Sequence, residues 1–148
     1  MLGAVRHPLS TGDFSSFLLQ AQTSGAKVVG LANAGGDTVS SIKAAAEFGL
    51  TKKQSLAALL MLITDVHAIG LPTAQGLYLT EAWYWDLSPE TRAWADQYSQ
   101  AMNGRKPNSN HASVYSSTMH YLKAIQAAGT DDTAAVMAKM KEMPINDM

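Results

Sequence analysis

The fold class follows from one stretch of the chain, Lys27-Val28-Val29-Gly30-Leu31-Ala32-Asn33-Ala34-Gly35-Gly36-Asp37-Thr38. Its first five residues form an apolar run of the kind found in a buried parallel strand. Asn33–Gly36 predicts a flexible turn, and Asp37 or Thr38 is suited to cap a helix that ends at Gly49. A strand that leads directly into a helix is the repeating unit of a parallel α/β sheet.

The sequence on both sides continues this alternation of strands and helices. In order, we predict a strand at Leu2–His7, a helix from Phe14 to about Ser24, a buried strand at Leu56–Ile63, a loop at Thr64–Thr73 and a strand at Gly76–Ala82. The Leu and Met content of Leu56–Ile63 would also be compatible with a helix. The order over residues 1–85 is βαβαββ, which implies a parallel sheet with right-handed crossovers.

The residues after Asp86 are helical in character. Ser88 and Pro89 are typical of the first residues of a helix. The predicted helices run from Ser88 to about Met102, from Asn110 to Ala128, and from Thr130 to just before Pro144. We therefore divide the chain into an α/β part, residues 1–84, and an all-helical part, residues 85–148.

Composition excludes several classes of protein. The chain has 148 residues, 47% of them hydrophobic, and a net charge of -1, so it lacks the basic excess of a nucleic-acid binder. It contains no cysteine, which excludes disulfides and thiolate chemistry. Its longest apolar run, Leu56–Ile63, is far shorter than the ~20 residues of a membrane span. No signal peptide is evident at its start.

Two loops carry the polar groups that a ligand would need. Asn33 and Asp37 follow the strand Lys27–Leu31, and in an open α/β sheet ligands bind beyond the carboxyl ends of the strands. The neighbouring glycines allow close approach to the backbone, and free amides at a helix start favour an anion. The motif matches neither a Rossmann fingerprint nor a P-loop. A plain turn with a capped helix is the alternative.

The second loop carries Asp65 and His67, just after the apolar strand Leu56–Ile63. Such a pair could contact a ligand, bind a metal, act in acid–base catalysis, or serve only the structure. No spacing of the histidines resembles a known metal set, so we expect no metal. The aromatic stretch Glu81–Asp86, with Tyr84 at its centre, could line a pocket, cover a hinge or lie in a core.

Together these residues resemble a known family, the type I periplasmic binding proteins, and in particular the leucine-binding-like substrate-binding subunits of branched-chain amino acid ABC transporters. The likeness runs in uninterrupted order over nearly the whole chain. It rests on the segments at residues 13–22, 25–29, 33–38, 46–49, 63–67, 74–77, 84–86 and 120–124.

The resemblance implies a partial periplasmic-binding-protein-like I fold. In this family two α/β lobes close around a ligand. Residues 1–84 would be part of the second lobe, and residues 85–148 would return to a first lobe that this chain lacks, so we expect the chain to be a fragment. The expected location is the periplasm, and the expected partners are a small-molecule ligand and, in the full-length protein, an ABC permease of the inner membrane.

The resemblance also places the ligand-binding residues. Asp65 corresponds to the acidic residue that neutralises the ammonium group of an amino acid. Ala34 and Gly35 stand where the family usually supplies an aromatic side chain, which leaves an aromatic or other organic acid as a possible ligand. The candidate binding residues are therefore Asn33, Asp37, Asp65, His67 and Tyr84. We expect no cofactor, no nucleic acid and no catalytic residue.

Two alternatives to import remain at this stage. The same fold serves in sensory receptors, which couple ligand binding to signalling instead of transport. A small α/β enzyme that uses Asp65 and His67 is the other alternative, and the lack of a nucleophile–base pair or cofactor fingerprint counts against it.

Overall fold

The computed structural model describes residues 1–147 and divides the chain into two compact units, residues 1–81 and a second unit from Ala82 onward. The first unit contains α1 (Ser15–Thr23), β1 (Val28–Leu31), α2 (Gly35–Glu47), a 3-10 turn (Leu50–Lys52), β2 (Ser55–Ala58), α3 (Ile63–Ile69) and β3 (Tyr78–Leu79). The second contains α4 (Pro89–Ala101), α5 (Ser109–Ala128) and α6 (Thr133–Glu142).

The three strands of the first unit form one parallel sheet in the order β1-β2-β3. Leu31 at the end of β1 pairs with Ala58 at the end of β2, and Ala58 pairs with Leu79 at the end of β3. The carboxyl ends of all three strands therefore meet at one edge of the sheet. This confirms the α/β class with a parallel sheet flanked by helices and followed by a helical segment.

The core of the first unit lies where the helices cover this sheet. Ile42 of α2 and Leu50 of the 3-10 turn are each 1% exposed. The other buried apolar residues come from α1, β1, α2, β2, α3 and the segments that precede α1 and α3: Phe14, Leu18, Leu31, Ala45, Leu56, Ala58, Met61 and Ile69. Burying an aliphatic side chain of this size contributes about 1.5–3 kcal/mol. The apolar residues spaced along α1 and α2 thus account for the helices predicted there.

The predicted strand at Leu2–His7 is wrong. No residue of this segment joins a β-ladder, and residues 1–6 are all exposed. An isolated extended segment has no partner for its backbone groups, so apolar character alone does not make it a strand. β1 is also less buried than predicted, because Val28 at its start is 57% exposed.

The predicted strand Leu56–Ile63 and loop Thr64–Thr73 are also corrected. Only Ser55–Ala58 is strand, and Leu59 and Leu60 are 68% and 63% exposed. Ile63 begins α3, which ends at Ile69 before Gly70. The predicted strand Gly76–Ala82 shortens to Tyr78–Leu79, because a strand extends only as far as its ladder partner, and β2 ends at Ala58.

The helices of the second unit agree with the sequence to within three residues. Ser88 caps α4, accepting a hydrogen bond from the Thr91 amide, and Pro89 is its first residue. Asn108 caps α5 in the same way, and Gly129 ends it at φ +65°, a backbone conformation that suits glycine. Asp132 caps α6 by accepting from the Ala135 amide.

The buried face of α5 differs from its most apolar face. Ala112 and Ala124 are buried, and so is Val136 of the neighbouring α6. His120 of α5, 8% exposed, places Nε2 at 2.9 Å from the Met140 carbonyl of α6. Val114 and Leu122 are instead 65% and 51% exposed. Within residues 1–147, no helix combines the length and the apolar character needed to cross a membrane.

Candidate functional site

The loop between β1 and α2 is built around the side-chain amide of Asn33. Its Oδ1 accepts a hydrogen bond from Thr38 Oγ1 at 3.0 Å, and its Nδ2 donates to Ser41 Oγ at 3.3 Å. Thr38 and Ser41 are 0% and 1% exposed. Two buried hydroxyl groups of α2 therefore hold the Asn33 side chain in place at the carboxyl end of β1.

The capping role expected for Asp37 or Thr38 is wrong. α2 begins at Gly35 with Ala34 at the N-cap position and without a side-chain cap. Asp37 lies in the first turn of α2 and accepts a hydrogen bond from the Ser10 amide at 3.0 Å. Its carboxylate thus holds the preceding segment of the chain against the loop.

The start of α3 carries two carboxylates at the carboxyl edge of the sheet. Asp65 Oδ2 accepts from the Leu62 amide at 2.9 Å, and Glu81 Oε1 accepts from the Ile63 amide at 3.2 Å. Asp65 follows β2 and Glu81 follows β3. Negative charge at a helix N-terminus is stabilising because the helix dipole is positive there.

Sequence reasoning did not name Glu81 as a site residue. Its position just after a strand of a parallel sheet could have identified it, but the predicted strand Gly76–Ala82 is too long and includes Glu81. The shorter β3 places Glu81 beyond the strand end, at the edge where the loop of Asn33 and the start of α3 also lie.

His67 does not face Asp65. It lies on α3 two residues after Asp65 and is exposed. Residues two apart on a helix point in different directions, so they cannot form a hydrogen-bonded acid–base pair. The two side chains therefore do not form the hydrogen-bonded pair that the enzyme alternative suggested. Among residues 1–147, no three side chains of the metal-binding types come together.

Tyr84 belongs to the second unit and is 39% exposed. Its ring centroid lies 5.5 Å from that of Trp85. Nearby in the same unit, Trp83 packs edge-on against Trp94 at 5.3 Å. The other four candidates lie in the first unit: Asn33 and Asp37 on the loop after β1, and Asp65 and His67 on α3 after β2.

The family model described as periplasmic binding protein matches residues 1–148. The chain belongs to the periplasmic binding protein family. This confirms the resemblance drawn from the sequence. The neighbours described next are a periplasmic binding protein, a ligand-binding protein and a substrate-binding protein.

Three solved structures show how this family member relates to longer proteins. A periplasmic binding protein from Burkholderia mallei is 60% identical with a TM-score of 0.92, and the match covers 99% of this chain and 39% of that one. A branched chain amino acid ABC transporter periplasmic ligand-binding protein from Burkholderia xenovorans LB400 is 38% identical, with a TM-score of 0.86 and coverage of 99% and 39%.

An amino acid ABC transporter substrate-binding protein from Pseudomonas fluorescens Pf-5, at 23% identity, has a TM-score of 0.82 and coverage of 96% and 38%, and it supports the fold alone. No curated protein matches the chain. The chain spans about two fifths of the length of the solved structures it matches.

Proposed function

We propose that this chain contributes to a ligand-binding protein for ABC-type import, and that the ligand is an amino acid or a related organic acid held between two closing lobes. The observation that carries the proposal is the carboxyl edge of the parallel sheet. It gathers Asn33, Asp65 and Glu81 from the ends of three adjacent strands, which is where α/β sheets bind ligands. The Burkholderia xenovorans neighbour, a branched chain amino acid ABC transporter ligand-binding protein, supports import of an amino acid.

The proposed division of labour follows the two parts of the chain. Residues 1–84 act as part of the second lobe, and residues 85–148 return to the first lobe of a longer protein. Val114 and Leu122 support this arrangement, because they leave an apolar stripe of α5 exposed within the second unit that a further surface would bury. Hinge closure of two such lobes encloses the ligand.

Within the site, charge assigns the roles. Asp65 and Glu81 neutralise a cationic group of the ligand, such as an ammonium. Asn33 adds a neutral hydrogen-bonding group beside them. Asp37 supports the loop through its hydrogen bond with Ser10. His67 offers an exposed imidazole to the ligand, and Tyr84 offers its side chain from the hinge between the lobes. The closed protein would then deliver the ligand to an inner-membrane permease from the periplasm.

A chimera tests the proposal. The matched two fifths of the Burkholderia mallei protein is replaced by residues 1–148 of this chain, which the 60% identity makes feasible. Calorimetry then measures binding of branched-chain amino acids, aromatic amino acids and aromatic carboxylates. We expect one class to bind with a micromolar or lower dissociation constant. A chimera that melts cooperatively and binds none of them refutes the proposal.

A matched pair of variants localises the site. Asp65→Asn removes the charge but keeps an oxygen that can accept from the Leu62 amide, so affinity for an ammonium ligand should fall by about 2–5 kcal/mol. Asp131→Asn makes the same substitution at an exposed side chain before α6 and should leave affinity unchanged. Equal effects of the two substitutions would place the ligand elsewhere.

A further inference from the structure

The N-terminal segment, residues 1–10, contains one side chain that turns inward. His7 is half-buried, whereas the other nine residues of the segment are exposed. Its ring lies edge-on to the rings of Phe14 and Phe17, with centroids 4.9 Å and 5.9 Å away. Phe14 is a core residue, 3% exposed. The imidazole is thus held against the first unit by packing as well as by polar contacts.

The polar contacts of His7 define which ring nitrogen carries the hydrogen. Nδ1 lies 2.7 Å from the Pro8 carbonyl oxygen, which can only accept, so Nδ1 carries the hydrogen and donates it. In the neutral ring Nε2 is then an acceptor. Nε2 lies 3.4 Å from Nδ2 of Asn33, and that amide group donates to it.

The contact with Ser41 fixes the orientation of the Asn33 side-chain amide. Ser41 uses its hydroxyl hydrogen to donate to the Thr38 carbonyl at 3.0 Å, so toward Asn33 its oxygen accepts. Asn33 Nδ2 therefore has two acceptors, Ser41 Oγ and His7 Nε2, for its two hydrogens. Oδ1 receives one hydrogen bond, from Thr38, and an amide oxygen can accept two.

We infer that His7 is a positioning residue that makes Asn33 a hydrogen-bond acceptor only, and so selects a ligand group that donates. With both amide hydrogens engaged, one lone pair of Oδ1 is all that Asn33 offers to a ligand. Asp65 and Glu81 at the same edge are acceptors as well. Among these three side chains a carboxylate would meet only acceptors, whereas an ammonium or hydroxyl group would find partners. The inference rests on the proposed function and narrows its ligand to the donor class.

Two substitutions separate the roles of the ring and its nitrogens. His7→Phe keeps an aromatic ring against Phe14 and Phe17 and removes both nitrogens, which frees one Asn33 hydrogen. His7→Gln removes the ring and keeps an amide oxygen of similar reach that can accept from Asn33. If His7 served only to hold the segment, Phe would be the milder substitution. If it positions Asn33, Gln should preserve selectivity and Phe should lose it.

The first readout is spectroscopic and uses the 148-residue chain. Imidazole nitrogen shifts should show the Nδ1–H tautomer of His7. The side-chain amide resonances of Asn33 should shift and exchange faster with solvent in His7→Phe, and stay near their original positions in His7→Gln. Asn33 resonances that do not respond to His7→Phe overturn the inference, whatever the chimera binds.

The second readout is selectivity in the chimera described above. 3-Methylbutylamine and 3-methylbutanoate share one hydrocarbon skeleton and differ in whether the polar group donates or accepts. The ratio of their affinities should favour the amine and should fall about tenfold in His7→Phe. A purely structural role predicts that both affinities fall together with an unchanged ratio. A chimera that binds neither probe overturns the selectivity, whereas the proposed function stands or falls with the binding of the amino acids and aromatic carboxylates named above.

Discussion

Asp65 has a structural role that can be measured apart from any ligand. In the chain of residues 1–148, Asp65→Ala removes the carboxylate that accepts from the Leu62 amide at 2.9 Å. Losing such a capping bond costs about 0.5–2 kcal/mol. The negative charge near the helix start adds about 0.3–1 kcal/mol through the helix dipole. We expect Asp65→Ala to lower the free energy of unfolding by about 1–3 kcal/mol.

Asp65→Asn separates these two contributions. The asparagine oxygen still accepts from the Leu62 amide, so only the charge is lost, at about 0.3–1 kcal/mol. In a unit of 81 residues, 1 kcal/mol corresponds to roughly 4–8 °C in melting temperature. The expected decrease is therefore roughly 4–24 °C for Asp65→Ala and about 1–8 °C for Asp65→Asn.

Thermal melts followed by circular dichroism give these decreases, and amide hydrogen exchange locates them. The Val66 amide, which donates to the Leu62 carbonyl at 3.3 Å, should lose protection in Asp65→Ala. Amides of α5 and α6 should not change. Asp131→Ala is the control, since that side chain is exposed. An Asp65→Ala variant that melts like the original chain, or an Asp65→Asn variant that is equally destabilised, would refute the capping role.

Three further outcomes are expected. The Ser15 hydroxyl and amide donate to the Asp13 carboxylate and lower its pKa. The stabilisation of α1 by this carboxylate is therefore present above the carboxyl pKa of the unfolded chain and is lost as the pH falls through the lowered pKa of the folded chain. Hydrogen exchange of the α1 amides should become faster only in acid, and Asp13→Asn should abolish that pH dependence. Gln54 donates from Nε2 to two backbone carbonyls and is 6% exposed. Gln54→Glu removes this donor and should lower the free energy of unfolding in urea by about 1–3 kcal/mol. An unchanged urea midpoint would contradict this. His120→Phe should cost about 1 kcal/mol by removing the contact to the Met140 carbonyl, with faster exchange in α6 as the localising signal.

Local signals explain which elements were predictable. The cap residue Ser88 and the terminating Gly129 act on their own helix, so the helices of the second unit could be predicted from sequence. The ends of strands depend on partners elsewhere in the chain. Leu59 and Leu60 continue the apolar run of β2, but β1 offers no ladder partner beyond Leu31, so periodicity alone could not end the strand at Ala58.

The site divides in the same way. Asn33 and Asp65 could be placed at the carboxyl edge because each follows a predicted strand of a parallel sheet. Their hydrogen bonds could not be predicted, because His7 reaches Asn33 across 26 positions of sequence. The helix α3 was missed because Gly70 and Pro72 suggested a loop. The available signal was Asp65 itself, an acidic residue three positions after the residue that precedes the helix.

The common direction of the three strands also sorts charge in space. Residues that precede a strand lie at one edge of the sheet, and residues that follow it lie at the other. Lys27, Lys52 and Lys53 precede β1 or β2 and are exposed, whereas Asp37, Asp65 and Glu81 follow the strands. A four-residue strand separates the edges by roughly 13 Å. The first unit is therefore an electric dipole whose negative pole is the carboxyl edge of the sheet, so cationic solutes should approach this edge at a rate that falls as salt is added.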